Sequence, residues 1–125
     1  MIFDTDILIH AGKGHKGADS AINAHEDRYI SIQSVMELFQ DALNTAHLNN
    51  MKGFLADLRF SILPITENIG HRALIYIEEY GLSHGLRSGD ALIAATAVEN
   101  NLPLMTGNAR HFKSVKDLKL VPFKS

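Results

Sequence analysis

Cysteine and tryptophan are absent from this 125-residue chain, only three prolines occur, and aromatic residues make up 7%. Without cysteine there is no disulfide framework, no thiolate nucleophile and no cysteine-ligated zinc or iron–sulfur centre. No apolar run approaches the roughly 20 residues needed to span a membrane, and nothing near Met1 has the form of a signal peptide. Low-complexity tracts, internal repeats and Pro/Ser-rich linkers are also missing. The expectation is therefore one domain over residues 1–125 that begins directly in structure at Met1-Ile2-Phe3-Asp4, in a reducing cytoplasm. What is present fits a globular protein: 46% hydrophobic and 21% charged residues exclude a disordered or collagen-like chain.

Twelve basic and fourteen acidic side chains give a formal charge of −2. The distribution says more than the sum. From Asn101 onward Arg110, Lys113, Lys116, Lys119 and Lys124 face a single acid, Asp117. Charge of one sign gathered on one segment speaks to partners rather than to fold.

Short apolar, β-branched runs alternate with helical patterns along the chain. Met1–Asp4, Tyr29–Ile32, Ser61–Ile65 and Leu102–Thr106 read as strands, and Leu118–Phe123 as a fifth. Between them lie helical stretches over Thr5–Ala11, about Gly17–His25, Ser34–Leu48, Asn50–Phe60, Thr66–Tyr80 (stopped at Gly81) and Ser88–Glu99. The pattern predicts an α/β fold: a central parallel sheet of four to five strands with helices on both faces. Ligands of such sheets sit beyond the carboxyl ends of the strands.

Acids fall at those ends. Asp4 and Asp6 follow the first strand, Glu37 the second, Asp90 opens a late helix, and Thr106-Gly107-Asn108 follows the fourth strand. Each has an ordinary reading alone. Ser34-Val35-Met36-Glu37 spells a capping box, Asp90 complements a helix dipole, Asp4 or Thr5 can cap a helix, and Asn108 suits a turn. Gathered at one sheet edge, however, carboxylates repel one another and resist desolvation unless a cation neutralises them. An oxygen-only donor set suits Mg²⁺ or Mn²⁺ rather than zinc.

Four blocks carry the pattern in order: Ile2-Phe3-Asp4-Thr5-Asp6-Ile7-Leu8, then Ser31–Leu38, then Gly89-Asp90-Ala91-Leu92-Ile93-Ala94-Ala95-Thr96-Ala97, then Leu104-Met105-Thr106-Gly107-Asn108-Ala109-Arg110-His111-Phe112. They resemble the signature blocks of the PIN domain, and most of all those of VapC-type toxins from toxin–antitoxin pairs. The resemblance covers essentially the whole chain, which makes it a single PIN-like domain. It implies metal-dependent hydrolysis of RNA phosphodiester bonds, with Asp4, Glu37, Asp90 and Asn108 as catalytic and metal-binding positions. Asp6, Ser34 and Thr106 would support them. Many members carry Asp at the fourth position, so Asn108 removes one charge, while Asp6 stands where the family usually has Asn. Arg87, Arg110, Lys113 and Lys116 are candidates for holding the RNA backbone. The resemblance further implies a homodimer and a small antitoxin that wraps the helical face, for which Leu38, Phe39, Leu43, Phe54, Leu55 and Leu58 offer apolar surface. A PIN-like module weakened at Asn108, binding RNA or protein without cutting, is the alternative.

Two motifs lead elsewhere and fail on context. Gly12-Lys13-Gly14-His15-Lys16-Gly17 matches G-x-G-x-x-G, but a dinucleotide site needs those glycines directly after a strand. Asp4-Thr5-Asp6 has the D-x-D form of haloacid-dehalogenase-type phosphatases, yet the paired Asp-Asp they carry downstream occurs nowhere here. The seven histidines form no i, i+4 pair of the zincin type.

Overall fold

The computed structural model describes residues 1–124. β1 (Ile2–Phe3) is fully buried and central, with β2 (Arg28–Ser31) on one side and β4 (Leu104–Thr106) on the other. β3 (Phe60–Leu63) extends the sheet beyond β2 and β5 (Leu120–Pro122) beyond β4, giving the order β3-β2-β1-β4-β5 with every pairing parallel. A parallel sheet must be covered on both faces. Ile2 and Leu104 pack with Ile69, Ala73 and Ile93 from α5 (Glu67–His84) and α6 (Ser88–Glu99). Phe3 and Met105 turn the other way, against α1 (Thr5–Gly12), α2 (Lys16–Asn23), α3 (Ile32–Gln40) and α4 (Thr45–Asp57). One short helix, α7 (Ala109–Phe112), follows β4. Among the described residues no helix is long and apolar enough to cross a membrane.

Several element ends differ from the reading of the sequence. The helix after β2 starts at Ile32, not Ser34: the Ser31 hydroxyl caps it, accepting from the Ser34 amide at 3.0 Å. The cap thus falls three residues earlier than expected and no capping box forms, which leaves Glu37 for other partners. The long stretch Ser34–Leu48 is two helices, because the chain leaves α3 at Asp41 and Asn44 caps α4. Leu43, expected on an apolar face, lies in that break and is 84% exposed. α5 is capped by Thr66 as expected but runs through Gly81 to Gly85, whose φ of 68° makes it the left-handed stop. Gly12–Gly17 spans the end of α1, a tight turn and the start of α2: Gly14 takes φ 84° and His15 caps α2 through Nδ1. A helix and not a strand leads directly into it, and the nucleotide-binding reading falls.

α6 is what the sheet closes on. Ala91 and Ile93 through Ala97 are all buried, and apart from Ile93 and Thr96 they are alanines, so the helix lies close to both the sheet and α5. Its far end is tied down by Arg72, which pairs with Glu99 and, at 3.1 Å, with Asp117; the Tyr76 hydroxyl donates to the same Asp117 at 3.0 Å. A helix packed this tightly has no room to grow. Ala95→Leu is expected to destabilise the protein by about 1–3 kcal/mol in urea unfolding with the slope unchanged; an unchanged midpoint would show that α6 is not the tight element described.

Candidate active site

The chain crosses from β1 out to β2 and β3 on one side, then returns past β1 to β4 on the other. The crevice beyond β1 and β4 is thus the switch point of the sheet, where open α/β folds bind ligands. Asp4 ends β1 there. Its amide donates to the Met105 carbonyl at 2.9 Å and its side chain caps α1, so sheet and helix together fix it. The carboxyl accepts from the Thr5 amide at 2.8 Å and from the Thr106 hydroxyl at 2.7 Å. Thr106, fully buried, accepts in turn from the Asn108 amide at 2.9 Å.

Asp4 is only 6% exposed, and burial pushes its pKa up from 3.8 to about 7. The hydrogen bond from Thr106 works against that rise, while the nearby charges of Asp6 and Asp90 add to it. Asp6 is half-buried and is also raised, again chiefly by burial, although the Gly107 amide and His10 oppose this. Asp90, in the first turn of α6, is raised by burial and by Glu37; His111 and Arg87 pull it down. Four acids from α1, α3, α6 and the end of β1 therefore feel one another's charge.

Glu37 reaches the group through Thr5, whose hydroxyl donates to Glu37 Oε1 at 2.7 Å, and Gln33 Nε2 contacts Oε2 at 3.4 Å. Gly89 makes this possible: a Cβ there would stand 2.9 Å from Glu37 Oε2. Asp6 Oδ2 accepts from the Gly107 amide at 2.9 Å and meets Asn108 Nδ2 at 3.4 Å. Asp6 Oδ1 is buried with no hydrogen-bond partner among the described residues.

The expected residues divide accordingly. Asp4, Asp6, Glu37, Asp90, Thr106 and Asn108 come together at one edge. Ser34 does not join them: it is sealed in the core with its hydroxyl on that of Ser31 at 3.1 Å, and so supports the start of α3 rather than the acids. Arg87 stands next to α6 beside Asp90, and Arg110 and Lys113 are exposed on and after α7. Lys116 lies where the chain runs back along α5, its backbone against Tyr80 and its neighbour Asp117 on Arg72. Thr5 and His10 were not read as site residues, and His111 was read as structural rather than catalytic. Thr5 was hidden by its second role beside the N-cap; His10 stands one helical turn after Asp6, a spacing that could have signalled it, whereas His111 is far in sequence from Asp90, whose charge it offsets.

Among the described residues no three carboxylates or imidazoles already converge on a single point. An ion that keeps several of its waters does not require the acids to meet at one point before it binds. The donor set fits such an ion on two counts. The acids carry an unmet need for positive charge, and Asp6 Oδ1 is a buried acceptor without a well-formed hydrogen bond.

The PIN domain family profile matches residues 1–118. The chain is 36% identical over 123 residues to Ribonuclease VapC10 of Mycobacterium tuberculosis, an overlap of 95% of this chain and 90% of that protein. A toxin–antitoxin complex from Klebsiella pneumoniae superposes with a TM-score of 0.80 at 30% identity, covering 96% of this chain and 94% of the other. VapBC2 from Rickettsia felis, solved on a DNA fragment from its promoter, gives 0.78 at 21% identity over 99% and 100%, a likeness of fold.

Sign follows from the raised acids. A carboxyl whose pKa is higher folded than unfolded takes up protons on folding, so its contribution to stability is lost as pH climbs toward the folded value. For Asp4, moving from 3.8 to about 7 costs the folded state on the order of 4 kcal/mol at most once both forms are ionised. Asp90, whose carboxylate accepts no side-chain hydrogen bond among the described residues, gives the cleaner test. In EDTA, Asp90→Asn should melt roughly 2–5 °C higher than wild type at pH 8, with the gap closing toward pH 4. A lower melting temperature at pH 8 would mean that Asp90 serves the helix end instead.

Proposed function

Because the chain belongs to the PIN domain family and is homologous to VapC ribonucleases, we propose that it is a divalent-metal-dependent endoribonuclease, the toxin of a type II toxin–antitoxin pair. The observation that carries the reading is the buried, hydrogen-bonded Asp4 among acids it repels, at the switch point of a parallel sheet. Asp4, Glu37 and Asp90, with Asn108 at the fourth position, would hold Mg²⁺ or Mn²⁺. When bound, such an ion polarises a phosphoryl oxygen and lowers the pKa of water.

The rest is done by this chain. Thr106 and the Thr5 amide fix the Asp4 carboxyl, and the Thr5 hydroxyl ties Glu37 to the same point, so neither acid swings into solvent. Asp90, whose carboxylate has only the Arg87 backbone amide and no side-chain hydrogen bond among the described residues, would orient the attacking water. That water would give up a proton to solvent and bond to phosphorus as the P–O3′ bond breaks, the leaving O3′ taking a proton from solvent, so that a 5′-phosphate and a 3′-hydroxyl remain. Arg87, Arg110 and Lys113, all exposed, would meet flanking phosphates; Lys116 would meet the strand only farther along. With Asp4, Asp6, Glu37 and Asp90 set aside, the remaining residues carry a formal +2, in keeping with a polyanionic substrate.

An antitoxin partner is supported by a groove of about 300 Å³ between α1, α3 and α4. Leu8, Ile9, Leu38, Phe54 and Leu55 line it, three of them residues read from the sequence as apolar surface for that purpose. A cytoplasmic homodimer completes the proposal.

Magnesium or manganese should be required for cutting single-stranded RNA, and Asp4→Asn and Asp90→Asn should each lower the rate at least about 100-fold, as read on gels with purified protein. Cutting that persists in EDTA, or in both variants, would overturn the metal reading. Tight RNA binding by wild type without any cut would instead favour the binding-only module.

A further inference from the structure

On the resemblance to the PIN domain, Asn108 falls at the position of the fourth acid and Asp6 at one where an amide is usual. The structure puts these two side chains against each other: Asn108 Nδ2 lies 3.4 Å from Asp6 Oδ2 across a separation of 102 residues. We infer that the carboxylate has been transposed, so that Asp6, through Oδ1, is the fourth oxygen ligand of the metal site and Asn108 is the residue that positions it. This rests on the metal-nuclease reading above and assigns the residues within it.

Four observations converge. Asp6 Oδ2 is held from one side by the Gly107 amide at 2.9 Å, which fixes the carboxyl plane. Oδ1 is buried and makes no well-formed hydrogen bond; the Ile7 and Asp6 amides nearby ease the charge of the carboxyl, and a cation would complete it. Asn108 turns its side-chain N–H₂ toward Asp6, while its backbone amide is on Thr106 Oγ1 and its backbone carbonyl accepts from the His111 amide. An amide turned that way gives a hydrogen bond to a carboxylate, which is how second-layer groups orient metal ligands. Finally, Gly107 is required by the contact. A Cβ there would stand 2.6 Å from Asp6 Oδ2, so any other residue displaces the carboxylate.

Calorimetric titration of the metal-free protein with MnCl₂ reads the ligand directly, without RNA or turnover. Wild type, Asp6→Asn, Asn108→Ala, Gly107→Ala and the transposed double variant Asp6→Asn/Asn108→Asp are compared after circular dichroism shows each folded. Asp6→Asn should weaken Mn²⁺ binding about 10-fold or more, Gly107→Ala should weaken it in the same direction, and Asn108→Ala should cost less than about 3-fold. The double variant should recover to within about 3-fold of wild type, which a merely structural role for Asp6 would not produce. Unchanged affinity in Asp6→Asn, or a larger loss in Asn108→Ala than in Asp6→Asn, overturns the transposition while leaving the metal site standing. If wild type takes up no Mn²⁺, the metal reading falls and this inference with it.

Discussion

The Asp4 carboxyl closes the central strand of the sheet almost out of contact with water, and the groups that hold it supply hydrogen bonds but no positive charge. An ionised carboxylate in that position is expensive to bury, and two further acids close by raise the cost. The protein keeps it there through covalent and architectural means. β1 cannot shift because it pairs on both edges, and the residue after it caps α1. The site is thus paid for in stability and rewarded only when charge arrives from outside.

Everything around this point can be traced to the same constraint. Thr106 lies on the neighbouring strand at the register that brings its hydroxyl to Asp4, since Phe3 pairs with Met105. α6 carries Asp90 to the edge because its run of alanines lets it lie flat against the sheet, and Gly89 lets Glu37 approach from α3. His10, His111 and Arg87 soften individual acids, but none forms an ion pair with them among the described residues. A site built this way gathers negative charge that its own side chains do not neutralise.

Much of this was legible in the sequence, for physical reasons. The strands were short, apolar and separated by helices, which leaves little choice but a parallel sheet, and the acids sat where such sheets bind ligands. What could not be read depended on three-dimensional choices between equivalent groups. Ser31 and Ser34 are both plausible caps, and only burial decides that Ser34 goes into the core. Gly81 and Gly85 both suit a helix end, but the stop falls on the one that takes positive φ. Thr5 joins Asp4 to Glu37 across 32 residues, and Asn108 meets Asp6 across 102, contacts that no local pattern announces. Asp4, Asp6 and Asp90, by contrast, showed because each stands at an element boundary, whereas Glu37 lies inside α3.

A melting curve taken as a function of cation concentration tests the central claim most directly. At pH 8, where the acids are most costly, Mg²⁺ or Mn²⁺ that binds only the folded state should raise the melting temperature steadily once its concentration passes the dissociation constant, approaching about 2.7 kcal/mol of added stability at a 100-fold excess. The rise should shrink toward pH 5 as Asp4 takes up its proton, and it should be lost in Asp4→Asn. A melting temperature indifferent to both cations at pH 8, or an equal rise in Asp4→Asn, would contradict the account.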